Sequence, residues 1–77
     1  MMYAIPRTYT NLGEPDQSKR YTMKWLYTDA AGYHTYVLSN YQGIELQLNR
    51  LTTEKVFEIM NNMHETFMTY IPIQNCV

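Results

Sequence analysis

Two histidines, one cysteine and a scatter of carboxylates are the groups of this chain that could move a proton, attack a carbon or hold a metal. His34 and His64 fall on different predicted elements, and neither has a serine or cysteine motif beside it, so the nucleophile–base pairing of covalent catalysis has no local start. His34 shares a predicted strand face with Tyr36 near the sheet end, a place for a hydrogen-bonded structural histidine rather than a general base. His64 flanks an apolar helical stripe together with Phe57 and Met68 and is expected to be a solvated edge residue. A zinc site would need Cys, His, Asp or Glu at ligand spacing; His64-Glu65 and the distant Cys76 do not supply it, and no metal is expected. Glu54 and Glu58 stand one helical turn apart on a face expected to be wet. Three isolated glycines make no phosphate-cradling loop, so no cofactor is expected. These residues predict no enzyme and no small-molecule substrate.

The types that do concentrate are aromatic. Six of the nine tyrosines and tryptophans lie between residues 21 and 41. Tyr21, Met23, Trp25 and Tyr27 alternate with Thr22, Lys24, Leu26 and Thr28, so on an uninterrupted strand they share one face. Rings of this kind do no covalent chemistry, but they supply large contact area at protein interfaces, and on an open sheet they can stack unpaired bases.

Composition limits the partners. Seventy-seven residues make one small domain, which buries only ~60% of the surface its unfolded chain exposes and gains from a partner that covers apolar area. A formal net charge of −1, with Arg7, Lys19, Arg20, Lys24, Arg50 and Lys55 dispersed, lacks the basic patch of a phosphate-binding protein. One cysteine cannot form an internal disulfide, which fits a reducing compartment. The start, Met1 to Arg7, has neither the basic opening nor the apolar run of a signal peptide, and no apolar stretch approaches the ~20 residues needed to span a bilayer. The expected setting is cytoplasmic, with no membrane partner.

The elements that position the aromatic row follow from periodicity and turn chemistry. Residues 1–5 could form a short strand through Tyr3 and Ile5, followed by a loop over residues 6–20 marked by Pro6, Gly13 and Pro15. Three strands are predicted at Tyr21–Thr28, Tyr33–Ser39 and Ile44–Arg50. Asp29-Ala30-Ala31-Gly32 and Asn40-Tyr41-Gln42-Gly43 each place Asp or Asn first and Gly fourth, the pattern of a type I turn closed by a left-handed glycine. A helix should begin at the N-cap Thr52, with Glu54 in its first turn and a staple between Leu51 and Val56. Val56, Ile59, Met60, Met63, Phe67 and Tyr70 form its apolar stripe, and Pro72 ends it near Tyr70. The tail, residues 71–77, could dock as a further strand. The expected fold is α+β: a three-stranded antiparallel meander over residues 21–50, with a possible extra terminal strand and one C-terminal helix over residues 52–70 across one face.

Parity through the two turns then assigns the faces. Tyr27 pairs with Thr35 and Trp25 with Val37; Leu38 pairs with Leu46 and Tyr36 with Leu48. Leu26, Tyr36, Leu38, Ile44, Leu46 and Leu48 fall on one face, the more aliphatic, and the helix should cover it. Tyr21, Met23, Trp25, Tyr27, Tyr33, Thr35 and Val37, with Glu45 on the same side, fall on the other. A one-residue change of register would bury both rows together, and terminal segments or a second copy could also cover the aromatic face. The expected function is that of a non-enzymatic protein-binding module, an inhibitor or adaptor of the kind bacteriophages encode against host enzymes or immune complexes. It would bind another protein, or its own twin as a homodimer, through those eight residues. Single-stranded nucleic-acid binding by the same aromatics is the alternative, opposed by the shortage of cations.

Overall fold

The computed structural model describes residues 4–11 and 20–70. They form strands β1 (Thr8–Thr10), β2 (Thr22–Thr28), β3 (His34–Ser39) and β4 (Glu45–Leu51), then helices α1 (Thr53–Asn61) and α2 (Met63–Tyr70). The sheet is antiparallel in the order β1-β2-β3-β4, and both helices pack on one of its faces. The α+β class and the central meander are as expected; the strand and helix counts are not.

The fourth strand comes from the segment expected to be loop. Thr8-Tyr9-Thr10 is β-branched and aromatic, a strand composition, and pairs Thr8 with Lys24, Tyr9 with Met23 and Thr10 with Thr22. The expected strand lay instead at Tyr3 and Ile5; Tyr3, the tail 71–77 and Cys76 lie outside the described residues. Ile5 packs against the core edge.

Both turns form as their residues dictate. Gly32 (φ 94°) and Gly43 (φ 88°) take the left-handed conformation, which costs a residue with a Cβ about 1–2 kcal/mol. The Asp29 carboxylate accepts from the Ala31 and Tyr33 amides, and Asn40 Oδ1 accepts from the Gln42 and Ile44 amides.

The helix starts at the expected cap, where Thr52 Oγ1 accepts from the Lys55 amide at 3.1 Å. It breaks at Asn62 (φ −141°, ψ 46°). The Asn62 amide turns to the Ile59 carbonyl, and its side-chain Nδ2 donates to the Glu58 carbonyl that the amide would have served. Asparagine competes with the helical backbone in this way, so the single expected helix becomes two. Its stripe survives the break: Val56, Ile59, Met63 and Phe67 are buried, Met60 partly so, while Tyr70 is exposed.

The larger departure is in register. The β2–β3 pairing starts as predicted, with Tyr27 opposite Thr35, but then shifts so that Trp25 meets Tyr36, Lys24 meets Val37 and Met23 meets Leu38. Leu26 is the extra residue of a β-bulge. A second bulge lies across β3, where Asn49 and Arg50 together stand opposite the single residue Thr35 between the Tyr36–Leu48 and His34–Leu51 pairs, with Arg50 at φ 59°. Both bulges sit opposite Thr35. Each reverses side-chain parity on its own strand: the first turns Tyr21, Met23 and Trp25 to the helix side, and the second puts Leu51 inside and Arg50 outside.

The core therefore joins both rows. Met23, Tyr36, Leu38 and Val56 are fully buried, with Tyr21, Leu46, Leu48, Leu51, Ile59, Met63 and Phe67 around them. Each such side chain contributes about 1.5–3 kcal/mol of burial. Tyr36 satisfies its hydroxyl by donating to the Pro6 carbonyl, which ties the N-terminal segment to the core.

Candidate functional site

The eight residues expected on one open face divide into two groups. Tyr21 and Met23 are in the core and Trp25 is half-buried against it, so these three are removed from the candidate surface by the Leu26 bulge. The Tyr21 ring packs on Phe67, with centroids 5.5 Å apart, and its hydroxyl lies 2.6 Å from His64 Nδ1. Burial, helped by the nearby Tyr41 phenol, holds the Tyr21 hydroxyl above the ordinary tyrosine pKa, so it stays neutral. His64 is on the exposed edge as expected, yet it closes the contact between β2 and α2.

Tyr27, Tyr33, Thr35, Val37 and Glu45 do lie on the face away from the helices. Three cross-strand rows run over it. Thr10, Thr22, Ser39 and Glu45 form the first, and Thr8, Lys24, Val37 and Gln47 the second. In the third, Tyr27 and Thr35 face the Asn49–Arg50 bulge, with Tyr33 just beyond. Thr8, Thr10, Lys24, Glu45 and Gln47 in these rows are exposed, and Thr22, Val37 and Ser39 are half-buried. Tyr27 is 52% exposed and the bulged Leu26 beside it 45%, while Thr35 is sunk between the two bulges. The guanidinium of Arg50 lies 5.2 Å from the Tyr33 ring centroid. Lys24 and Arg50 thus stand on this face with Glu45, and Asp29, paired with Tyr33 across the first turn, stands at its end. Strand parity alone hides Arg50, because without the bulge it would point inward.

A second feature lies at the end of the inner face. His34 is 8% exposed; its Nδ1 is 2.7 Å from Thr28 Oγ1 and its Nε2 2.9 Å from Thr53 Oγ1. Trp25 Nε1 donates to the same Thr28 hydroxyl at 2.9 Å. The expected structural role of His34 accords with these contacts, which lock the β2–β3 end to the start of α1. Beside them is a cavity of about 360 Å³ lined by Ala4, Ile5, Arg7, Trp25, Thr28, His34 and Thr53, with the Arg7 guanidinium 5.4 Å from the Trp25 centroid. Neither Arg7 nor Thr53 had any distinguishing pattern in sequence.

Among the described residues no three His, Cys, Asp or Glu side chains gather around a possible metal position, and no helix is long and apolar enough to cross a membrane. No protein-family model, curated protein or solved structure matches the chain.

Proposed function

We propose that the chain is a non-enzymatic protein-binding module, acting as an inhibitor or adaptor, whose uncovered sheet face docks on a different protein bearing an acidic surface. The observation that supports this most is the exposed pair Leu26 and Tyr27 on the side of the sheet away from the helices, bordered by Lys24, Val37 and Arg50. An aromatic centre with a polar, partly cationic border is the usual build of an interface between separately folded proteins. Lys24 and Arg50 beside Leu26 and Tyr27 would complement acidic groups on a partner protein.

A photo-crosslinking residue in place of Tyr27, compared with one in place of Glu58 on the helical side, tests this in extracts of the source cells. Adducts to one protein from position 27 and none from position 58, weakened by Lys24→Glu, are expected. An adduct only at twice 9.2 kDa, equal labelling from both positions, or indifference to Lys24→Glu contradicts the proposal.

A second reading has one observation in its favour. The bulge sets Arg50 over Tyr33 and leaves Tyr27 and Lys24 on the same surface, a combination that can stack and neutralise single-stranded nucleic acid. Two cations give little phosphate neutralisation, so this reading ranks below the first. Retention of single-stranded oligonucleotides at low salt, lost steeply as salt rises, would replace the protein-binding reading; no retention removes the alternative.

A further inference from the structure

The cavity between the N-terminal segment and the His34 contacts is a separate site, on the opposite side of the sheet from the proposed docking face. Its volume, about 360 Å³, is within the ~300–1,000 Å³ range of small-molecule pockets. Ala4, Ile5 and the Trp25 ring give it apolar walls. Its polar wall carries a guanidinium, an imidazole and two hydroxyls, and no carboxylate.

Proton counting shows what that wall offers. Trp25 Nε1 holds one proton, each of the Thr28 and Thr53 hydroxyls one, and neutral His34 one, against three hydrogen bonds joining these groups. If Thr28 donates to Nδ1, then Nε2–H donates to Thr53 and the Thr53 proton is unused. If Nδ1–H donates to Thr28, then Thr53 donates to Nε2 and the Thr28 proton is unused. In either direction one threonine hydroxyl on the cavity wall keeps a free donor.

Arg7 supplies the charge. Among the described residues the ion pair is Lys55–Glu58, on the far side of the helices, so Arg7 has no carboxylate partner there. The guanidinium carbon lies 5.4 Å from the Trp25 ring centroid, a cation–π contact that holds the charge beside the cavity, and a guanidinium can grip two oxygens at once. A site with donors, one positive charge, an aromatic wall and no acid is complementary to an anion with an apolar body.

We infer that this cavity binds a small monocarboxylate carrying an aromatic or apolar group, with its carboxylate on Arg7 and the unused threonine hydroxyl and its body against Trp25 and Ile5. This inference does not depend on what the outer sheet face binds.

Trp25 is the sole tryptophan, so its indole N–H gives one resonance that reports directly from the cavity wall. Titrations of the full chain with benzoate, with benzamide as the uncharged counterpart and with inorganic phosphate as an anion lacking the apolar body, test the assignment. Benzoate should shift that resonance saturably. Benzamide and phosphate should each bind roughly ten- to a hundredfold more weakly, the loss expected when a charge-assisted contact or the apolar burial is missing. Arg7→Gln, a change at an exposed residue, should weaken benzoate by a similar factor with the far-ultraviolet circular dichroism unchanged. No saturable shift with benzoate overturns the inference. So does benzamide binding as well as benzoate, or phosphate binding as well as benzoate; both comparisons use the unaltered protein and do not depend on the variant folding.

Discussion

The large side chains before and after Leu26, in β2 and at its start, are alike in type and opposite in fate. Before Leu26, Tyr21 and Met23 are in the core and Trp25 is half-buried. After it, Tyr27 stands 52% exposed on the other face of the sheet. Nothing in the side chains separates the two groups, because all are large and apolar and all occur at strand spacing. Backbone register separates them. One inserted residue converts a row that would have covered one face into a core contribution and a surface contribution. The same device on β4 gives Leu51 to the core and Arg50 to the surface. The sheet thus has one face that packs against the helices and one that faces away from them, and β3 with Thr35 is the axis about which both bulges sort their strands.

The strongest perturbation of this division is deletion of Leu26. It would restore the uninterrupted pairing and rotate Tyr21, Met23 and Trp25 out of the core together. The expected result is loss of the cooperative thermal transition, since total stability of a small domain is only about 5–15 kcal/mol and several buried side chains would be lost at once. A deletion variant with an unchanged melting temperature would refute the bulge.

Alkaline titration probes the inner face more gently. Burial raises the hydroxyls of Tyr21 and Tyr36 above the ordinary tyrosine pKa in the folded protein, so the unfolded chain ionises first as the pH rises. The stability they protect is whole below about pH 10 and is lost as the pH climbs through the folded values. Urea midpoints should fall above pH 10, and Tyr21→Phe should reduce that fall. A fall as steep in the Tyr21→Phe variant as in the unaltered protein would contradict the burial of the Tyr21 hydroxyl.

The smallest effects belong to the local devices that start and turn the elements. Thr52→Ala should cost about 1 kcal/mol through the lost cap, and Gly32→Ala about 1–2 kcal/mol through its left-handed backbone, since a Cβ there meets nothing within 4 Å. Both are measurable by chemical denaturation and should be alike in the presence and absence of any ligand of either face.

These local devices were also the legible part of the fold. Asp29, Gly32, Asn40 and Gly43 specify their turns by hydrogen bonding and by φ, and Thr52 specifies its cap, because each acts within a few residues. The helix break was half legible: Asn61-Asn62 are poor helix formers, but the apolar stripe runs across them. Thr8–Thr10 had strand composition and was obscured by the neighbouring Pro6 and Gly13. The bulges left no trace. Leu26 and Arg50 are not glycines, and their insertion is decided by how the two rows pack against Val56, Ile59, Met63 and Phe67. Five of the eight proposed surface residues, Tyr27, Tyr33, Thr35, Val37 and Glu45, keep the predicted face because they lie on β3, on β4 or beyond the β2 bulge. The other three lie on the wrong side of it.

The most direct test is a pair of substitutions on residues that simple alternation would place together. Met23→Ala should cost about 2–5 kcal/mol, as for a large side chain removed from a closed core, while Tyr27→Ala should change stability by no more than about 0.5 kcal/mol, both read from urea denaturation at neutral pH. Equal costs for the two would contradict the split of β2 at Leu26, and with it the division of the sheet into a face that packs against the helices and the uncovered face proposed to bind a partner.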